Sequence, residues 1–227
     1  MSLTTWNRLR YTLWAPFYDA VARFGRQRRR SIALLGLEPG ERVLLVGAGT
    51  GADLPLLPPG VLALATDLTP AMLARARPRV REGIELRVMD GQALDLPDAG
   101  FDAVILHLIL AVIPDPAACL RESARVLRPG GRIAVFDKFL PDQARPGLLR
   151  RAANLLTSAL FTDINRRLGD ILRAAAVPLR IEHDEPALLG GTFRIVLLQK
   201  AGAPAATADR STTPSADPPT PHRPPRL

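Results

Sequence analysis

The stretch RVLLVGAGTG, residues 42–51, decides the architecture. Its first half, Arg42–Val46, is an apolar run of the kind that forms a strand buried on both faces. Its second half is glycine-rich, so the chain can turn sharply and bring backbone N–H groups where a side chain would otherwise stand. Working outward, further apolar strands are predicted over residues 61–66, 84–89, 101–108 and 132–137. Helical stretches separate them at residues 52–57, 70–80 and 116–127, and Arg128-Pro129-Gly130-Gly131 reads as a helix stop and tight turn. Strands alternating with helices imply a parallel sheet with helices on both faces. Two later runs, residues 179–183 and 193–199, are joined by a turn around Gly190-Gly191 and read as an antiparallel pair closing the sheet. The expected fold is therefore α/β and Rossmann-like, with a seven-stranded, mostly parallel sheet.

The flanks differ from this core. Of 227 residues 47% are hydrophobic, which suits one globular domain. Residues 1–36 read as helices forming an N-terminal cap ahead of a domain spanning residues 37–200. Residues 141–177 break the alternation and read as a helical cap insertion: residues 148–160 carry an amphipathic pattern, and Asp163 is placed to cap a second helix. From residue 201 the chain holds seven prolines and almost no large apolar side chains, so a disordered tail is predicted over 201–227. The net charge is +8, and its excess lies in residues 1–40 and 141–180, each with seven arginines against two and three acids. Such segments suit nucleic acid, an anionic membrane surface or an acidic substrate, although an arginine-rich composition alone produces the same pattern. A single cysteine, Cys119, excludes a disulfide framework and a cysteine metal cluster, and no metal is expected. The opening shows no signal-peptide pattern, and the longest apolar run, residues 104–113, is too short to span a bilayer. A cytoplasmic location is the expectation.

In such a fold a ligand binds at the carboxyl ends of the strands, near the point where strand order reverses. The loop from Gly47 to Gly51, ahead of a helix start, suits an anionic group, but it also satisfies a relaxed dinucleotide fingerprint. Asp67 ends the second strand, where a carboxylate can accept both hydroxyls of a ribose. Asp90 ends the third strand within Met89-Asp90-Gly91-Gln92-Ala93, placed to accept from the exocyclic amine of adenine. An acid there is no part of the dinucleotide fingerprint.

The phrases VLLVGAGTGADLP, ALATDLTPAMLARAR, VMDGQALDLPDAGFDAVIL and ARVLRPGGRIAVFD, in this order, resemble the successive motifs of class I S-adenosylmethionine (SAM)-dependent methyltransferases of the methyltransferase-11 type. The resemblance implies SAM as cofactor, with Gly47, Ala48, Gly49 and Gly51 around its methionine part. It implies Asp67 and Leu68 at the ribose, and Asp90, Gly91 and Gln92 at the adenine. One position departs: Leu45 stands where the family carries an acid two residues before the first glycine, with Asp53 or the N-terminal helices as candidates to compensate. RYTLWAPFYD, residues 10–19, resembles the opening of the quinone-biosynthesis C-methyltransferases and bacterial phosphatidylethanolamine N-methyltransferases, which implies Tyr11 and Tyr18 beside the cofactor. FTDINRRLGDIL and LLGGTFRIVLLQK resemble the lipid-directed members of that group.

The implied activity is methyl transfer to a small-molecule or membrane-lipid acceptor, a phospholipid amine or a quinone-like ring, with peripheral association at an anionic membrane. His107, near the end of the fourth strand, is the candidate to assist proton loss from the acceptor and to touch the cofactor. A core histidine is the competing reading. Asp137 and Lys138 are candidates to touch the acceptor, or else to form a local ion pair. Three other functions stay open. A NAD-type oxidoreductase would want a Tyr-x-x-x-Lys pair, which neither Lys138 nor Lys200 forms. A nucleic-acid methyltransferase acting on amines would want N/D-P-P-Y/F where His107-Leu108-Ile109-Leu110 stands. A non-catalytic SAM-binding protein would explain Leu45.

Overall fold

Buried on both faces, β1 (Arg42–Val46) is the centre from which the sheet is built. The structure, a computed structural model, describes residues 24–140 and 166–202. Helix α1 (Gly25–Leu34) precedes β1; after it come β2 (Leu62–Asp67), α2 (Pro70–Ala76), β3 (Ile84–Val88) and β4 (Phe101–His107). Helix α3 (Pro116–Val126), β5 (Leu127–Lys138), α4 (Leu168–Ala175), β6 (Leu179–Leu188) and β7 (Phe193–Lys200) complete the order. The seven strands lie in the order β3-β2-β1-β4-β5-β7-β6, and β7 is antiparallel to both its neighbours. The expected α/β sheet, seven-stranded and mostly parallel, is present.

Alternation along each strand divides the core in two. Leu44, Val46, Val104, Leu106, Ile133 and Val135 face α3 and α4, where Leu120, Val126 and Ile171 meet them. Val43, Leu45, Ala103, Ile105 and Ala134 face the other way, onto Ile32 and Leu35 from α1 and its end. Both faces are covered, which is why these strands read as continuous apolar runs rather than as alternating ones.

Three local expectations are corrected. Residues 52–57 give only a 3-10 turn at Leu54–Leu56, because Pro55 removes a donor and Pro58-Pro59 prevents continuation. The Arg128–Gly131 turn becomes an excursion inside β5: Phe101 pairs with Leu127 but Ala103 with Arg132, and Gly130 takes φ +76°. Strand β6 runs on to Leu188, past Pro186, because an edge strand tolerates a missing N–H. The cap segments 1–23 and 141–165, with the helix expected at 148–160 and Asp163, lie outside the described residues. So does all but the first two residues of the tail. Among the described residues, no helix is long and apolar enough to cross a membrane.

Helix α3 shows how its residues fix its start. Pro116 occupies the first turn, and the Asp115 side chain accepts from Ala118 N–H at 2.9 Å. Asp115→Ala is expected to cost about 1 kcal/mol, read as a lower urea midpoint at unchanged m-value.

Candidate functional site

The order of strands reverses between β1 and β4, and a cleft of about 730 Å³ of empty space, mouth included, opens at the carboxyl ends there. Two glycines make it possible. Gly47 leaves β1 at φ +69°, and a Cβ on it would stand 2.6 Å from Ile109 Cδ1. Across the cleft, a Cβ on Gly91 would stand 2.6 Å from Val46 Cγ1. Leu68, Met72, Met89, Ile109 and Ile113 supply apolar walls.

Two carboxylates face this space. Asp67 ends β2, and its Oδ2 accepts from Gly49 N–H at 2.9 Å while Oδ1 accepts from Thr69 N–H at 2.8 Å. Burial raises its pKa above the usual carboxylate range, against the pull of those two N–H groups. Asp90 accepts through Oδ1 from Gln92 N–H at 2.9 Å, and the Gln92 amide nitrogen lies 3.0 Å from the same oxygen. Gln92 Oε1 in turn accepts from Asp115 N–H at 2.8 Å, which ties the adenine-side loop to the start of α3. Each carboxylate has acceptor capacity beyond these bonds. Acceptors for hydroxyls and an amine, apolar walls for a flat ring and a bare glycine turn fit an adenosine with a zwitterionic tail. Among the described residues, no cluster of His, Cys, Asp or Glu could hold a metal.

Of the residues read from the sequence, Gly47, Gly49, Asp67 and Leu68 line the cleft, as do Asp90, Gly91 and Gln92. Ala48 and Gly51 shape the loop from behind: Ala48 N–H donates to Thr66 O, and Gly51, at φ +79°, sits against Ala76 and Leu54. Tyr11 and Tyr18 lie outside the described residues.

His107 is a correction. Its height on β4 predicts a place at the site, but it shares the parity of Ala103 and Ile105 and turns to the α1 face of the sheet. Its ring is enclosed, with Nδ1 2.9 Å from Asp53 Oδ1 and Nε2 3.0 Å from Ser31 Oγ. No nitrogen is left to serve a substrate in the cleft. Asp137 is likewise buried: its Oδ2 accepts from Ala111 N–H at 3.0 Å and its Oδ1 from Lys138 N–H at 2.7 Å, so it holds the chain after β4. Leu45 lies in the apolar core of the α1 face, where a carboxylate would find no solvent.

The sequence reading missed the wall that follows β4. Leu108, Ile109, Val112, Ile113 and Pro114 all line the cleft, and Leu108 adopts φ +59°. The signal was available in the apolar run continuing past His107, but nothing in it announces a left-handed leucine. Arg166 pins this wall, with Nη1 donating to Leu110 O at 2.6 Å and Ile113 O at 2.7 Å.

Asp53 carries a pH prediction. Burial opposes its charge most strongly, yet His107 and Arg28 together bring its pKa down from 3.8 to about 2. A depressed folded pKa means that the stabilisation is present above the unfolded value and is lost as pH falls towards 2. Wild-type stability is expected to fall more steeply with acid between about pH 4 and pH 2 than that of Asp53→Asn, as measured by urea unfolding across that window.

Known proteins complete the picture. Residues 44–135 match the family model described as a methyltransferase domain. The chain is 33% identical over 196 residues to a phosphatidylethanolamine N-methyltransferase of Cereibacter sphaeroides, covering 84% of this chain and 95% of that protein. It is 37% identical over 150 residues to a demethylmenaquinone methyltransferase of Thermus thermophilus, covering 60% of this chain and 68% of that one. A SAM-dependent methyltransferase structure from Methanosarcina mazei superposes with a TM-score of 0.62 at 18% identity, over 76% of this chain and 98% of that one. With the matched core running from inside β1 to inside β5, the chain belongs to the class I SAM-dependent methyltransferases.

Proposed function

We propose that this methyltransferase acts on the primary amine of a phosphate-bearing lipid, of the phosphatidylethanolamine class, at an anionic membrane surface. The observation that carries this reading is the likeness to the Cereibacter enzyme, which extends over 95% of that protein, beyond the shared cofactor core. The rim of the sheet supports it. Lys138 ends β5 two residues beyond Phe136, which pairs with His107, so it reaches the height of Ile109 but shares the parity of Phe136 and stands at the rim on the α1 face, outside the cleft lining. Its ammonium lies 5.9 Å from the Phe193 ring centroid. The neighbouring Asp137 carboxylate is taken up by backbone N–H groups and acts on the Lys138 ammonium through space. A cation at the rim against Phe193, which itself packs on Phe24 and Phe136, suits the anionic phosphate of an amphiphile whose amine enters the cleft.

In this reading SAM occupies the cleft, with Gly47 and Gly49 at its methionine end, Asp67 at the ribose and Asp90 with Gln92 at the adenine. When bound, SAM supplies an electrophilic sulfonium methyl. The protein's own contribution is alignment. Among the described residues, Asp67 and Asp90 are the titratable groups lining the cleft, and both face the nucleoside end. Leu108, Ile109 and Val112 exclude water from the acceptor end; the lipid ammonium gives up its proton to solvent before entering, and the neutral amine held in line there needs no further activation. The arginines concentrated in residues 1–40 and 141–180 would draw the enzyme to an anionic surface.

The test is methyl-labelled SAM with vesicles containing phosphatidylethanolamine and an anionic phospholipid, beside demethylmenaquinone in the same vesicles. Label is expected in the phospholipid amine; label in the quinone alone would overturn the reading. Lys138→Gln is expected to raise KM for phosphatidylethanolamine by about tenfold, the loss of one charge-assisted hydrogen bond, with SAM affinity unchanged. The protein is expected to pellet with anionic vesicles at low salt and to leave them at high salt.

A further inference from the structure

Four side chains on the α1 face form a network that the cleft chemistry does not use. Arg28 and Ser31, three residues apart on α1, both turn to the sheet. Asp53 follows the last glycine of the loop by two residues, and His107 ends β4. Arg28 Nη1 donates to Asp53 Oδ2 at 2.6 Å. Because Asp53 is ionised, His107 donates Nδ1–H to Oδ1 at 2.9 Å, and Nε2 meets Ser31 Oγ at 3.0 Å. All four residues are buried.

Stability alone does not account for this arrangement. Burying an ion pair costs several kcal/mol per ion, and a well-packed apolar set of the same volume often stabilises as well or better. The network is also unsaturated, since Arg28 Nε is buried and has no hydrogen-bond partner among the described residues. What the network does have is position. Asp53 fixes the exit of the glycine loop. His107, held by Asp53, fixes the chain directly before Leu108 and Ile109. Ile109 in turn fills the space that a Cβ on Gly47 would need. One carboxylate therefore spans the two walls between which the non-nucleoside end of the cofactor must lie, and anchors both to α1.

We propose that Asp53 is a positioning residue for the methionine end of SAM, setting the gap between the glycine loop and the wall after β4 through Arg28 and His107. This rests on the cleft being the SAM site and is independent of which acceptor is methylated. A loop displaced by a fraction of an ångström loses contacts to the amino-acid end, whereas Asp67 and Asp90 keep theirs to the nucleoside.

The experiment compares two ligands by calorimetry: S-adenosylhomocysteine, which carries the amino-acid end, and 5′-methylthioadenosine, which lacks it. Asp53→Asn is expected to weaken S-adenosylhomocysteine by about tenfold or more and methylthioadenosine by less than about twofold. Because Asp53→Asn leaves Arg28 charged and unpaired, the double variant Arg28→Met, Asp53→Leu is measured beside it. It removes both charges and is expected to keep the wild-type Tm within a few degrees, yet to show the same selective loss. Equal losses for both ligands, or wild-type affinity for both in the folded double variant, would overturn the proposal. Loss of both ligands in Asp90→Ala tests the cleft assignment separately, so failure there is distinguishable from failure here.

Discussion

The approach of Ile109 to Gly47 is the constraint on which the top of the sheet depends. A single methyl group on residue 47 would stand 2.6 Å from Ile109 Cδ1, so the wall after β4 can close on the loop after β1 only because that methyl is absent. The loop's other attachments then follow. Ala48 N–H reaches Thr66 O on β2, and Gly49 N–H reaches the Asp67 carboxylate at the end of the same strand. The wall has its own supports, in the Asp137 carboxylate at Ala111 N–H and the Arg166 guanidinium at Leu110 O and Ile113 O. Loop and wall are thus each fixed to rigid elements, and the cleft is what remains between them.

Three aspartates, Asp53 and Asp137 buried and Asp67 half-buried, hold these pieces by two different means. Asp67 and Asp137 are partnered chiefly by backbone N–H groups, and burial pushes both above the usual carboxylate range. Asp53 faces a guanidinium and an imidazole, and falls to about 2. The difference matches their tasks. A carboxylate bonded to backbone keeps a local turn in shape without bringing in a distant side chain. A carboxylate that must join a helix, a loop and a strand needs long side chains to reach it, and these bring charge with them.

Much of this was legible in the sequence, because the determinants are local and periodic. Apolar runs ending in glycine or aspartate located β1, β2 and β3, and those ends became the cleft's loop and carboxylates. The antiparallel pair β6 and β7 was legible from the Gly190-Gly191 turn. The direction of a side chain was harder to read. His107 looked like a site residue because it lies at the right height on β4, but a strand has two faces and height does not say which one a residue takes. Register did: Ala103 and Ile105 already faced α1. Nor could composition foresee that Arg128–Gly131 would remain within a strand, since that depends on its pairing with β4.

Strand parity also decides how the site divides its labour. The α3 face of the sheet supplies Val46, Met89 and Ile113 to the cleft, while the α1 face holds its polar residues in a sealed network. Charge is therefore kept out of the apolar end of the cleft, where a water-excluding wall of Leu108, Ile109 and Val112 stands. A carboxylate at position 45 would have joined the sealed face, not the cleft, and on that face Asp53 already stands, eight residues further on. Leucine at position 45 completes the apolar packing there. The acid of that face stands instead in the turn after the glycines, where Arg28 and His107 both reach it.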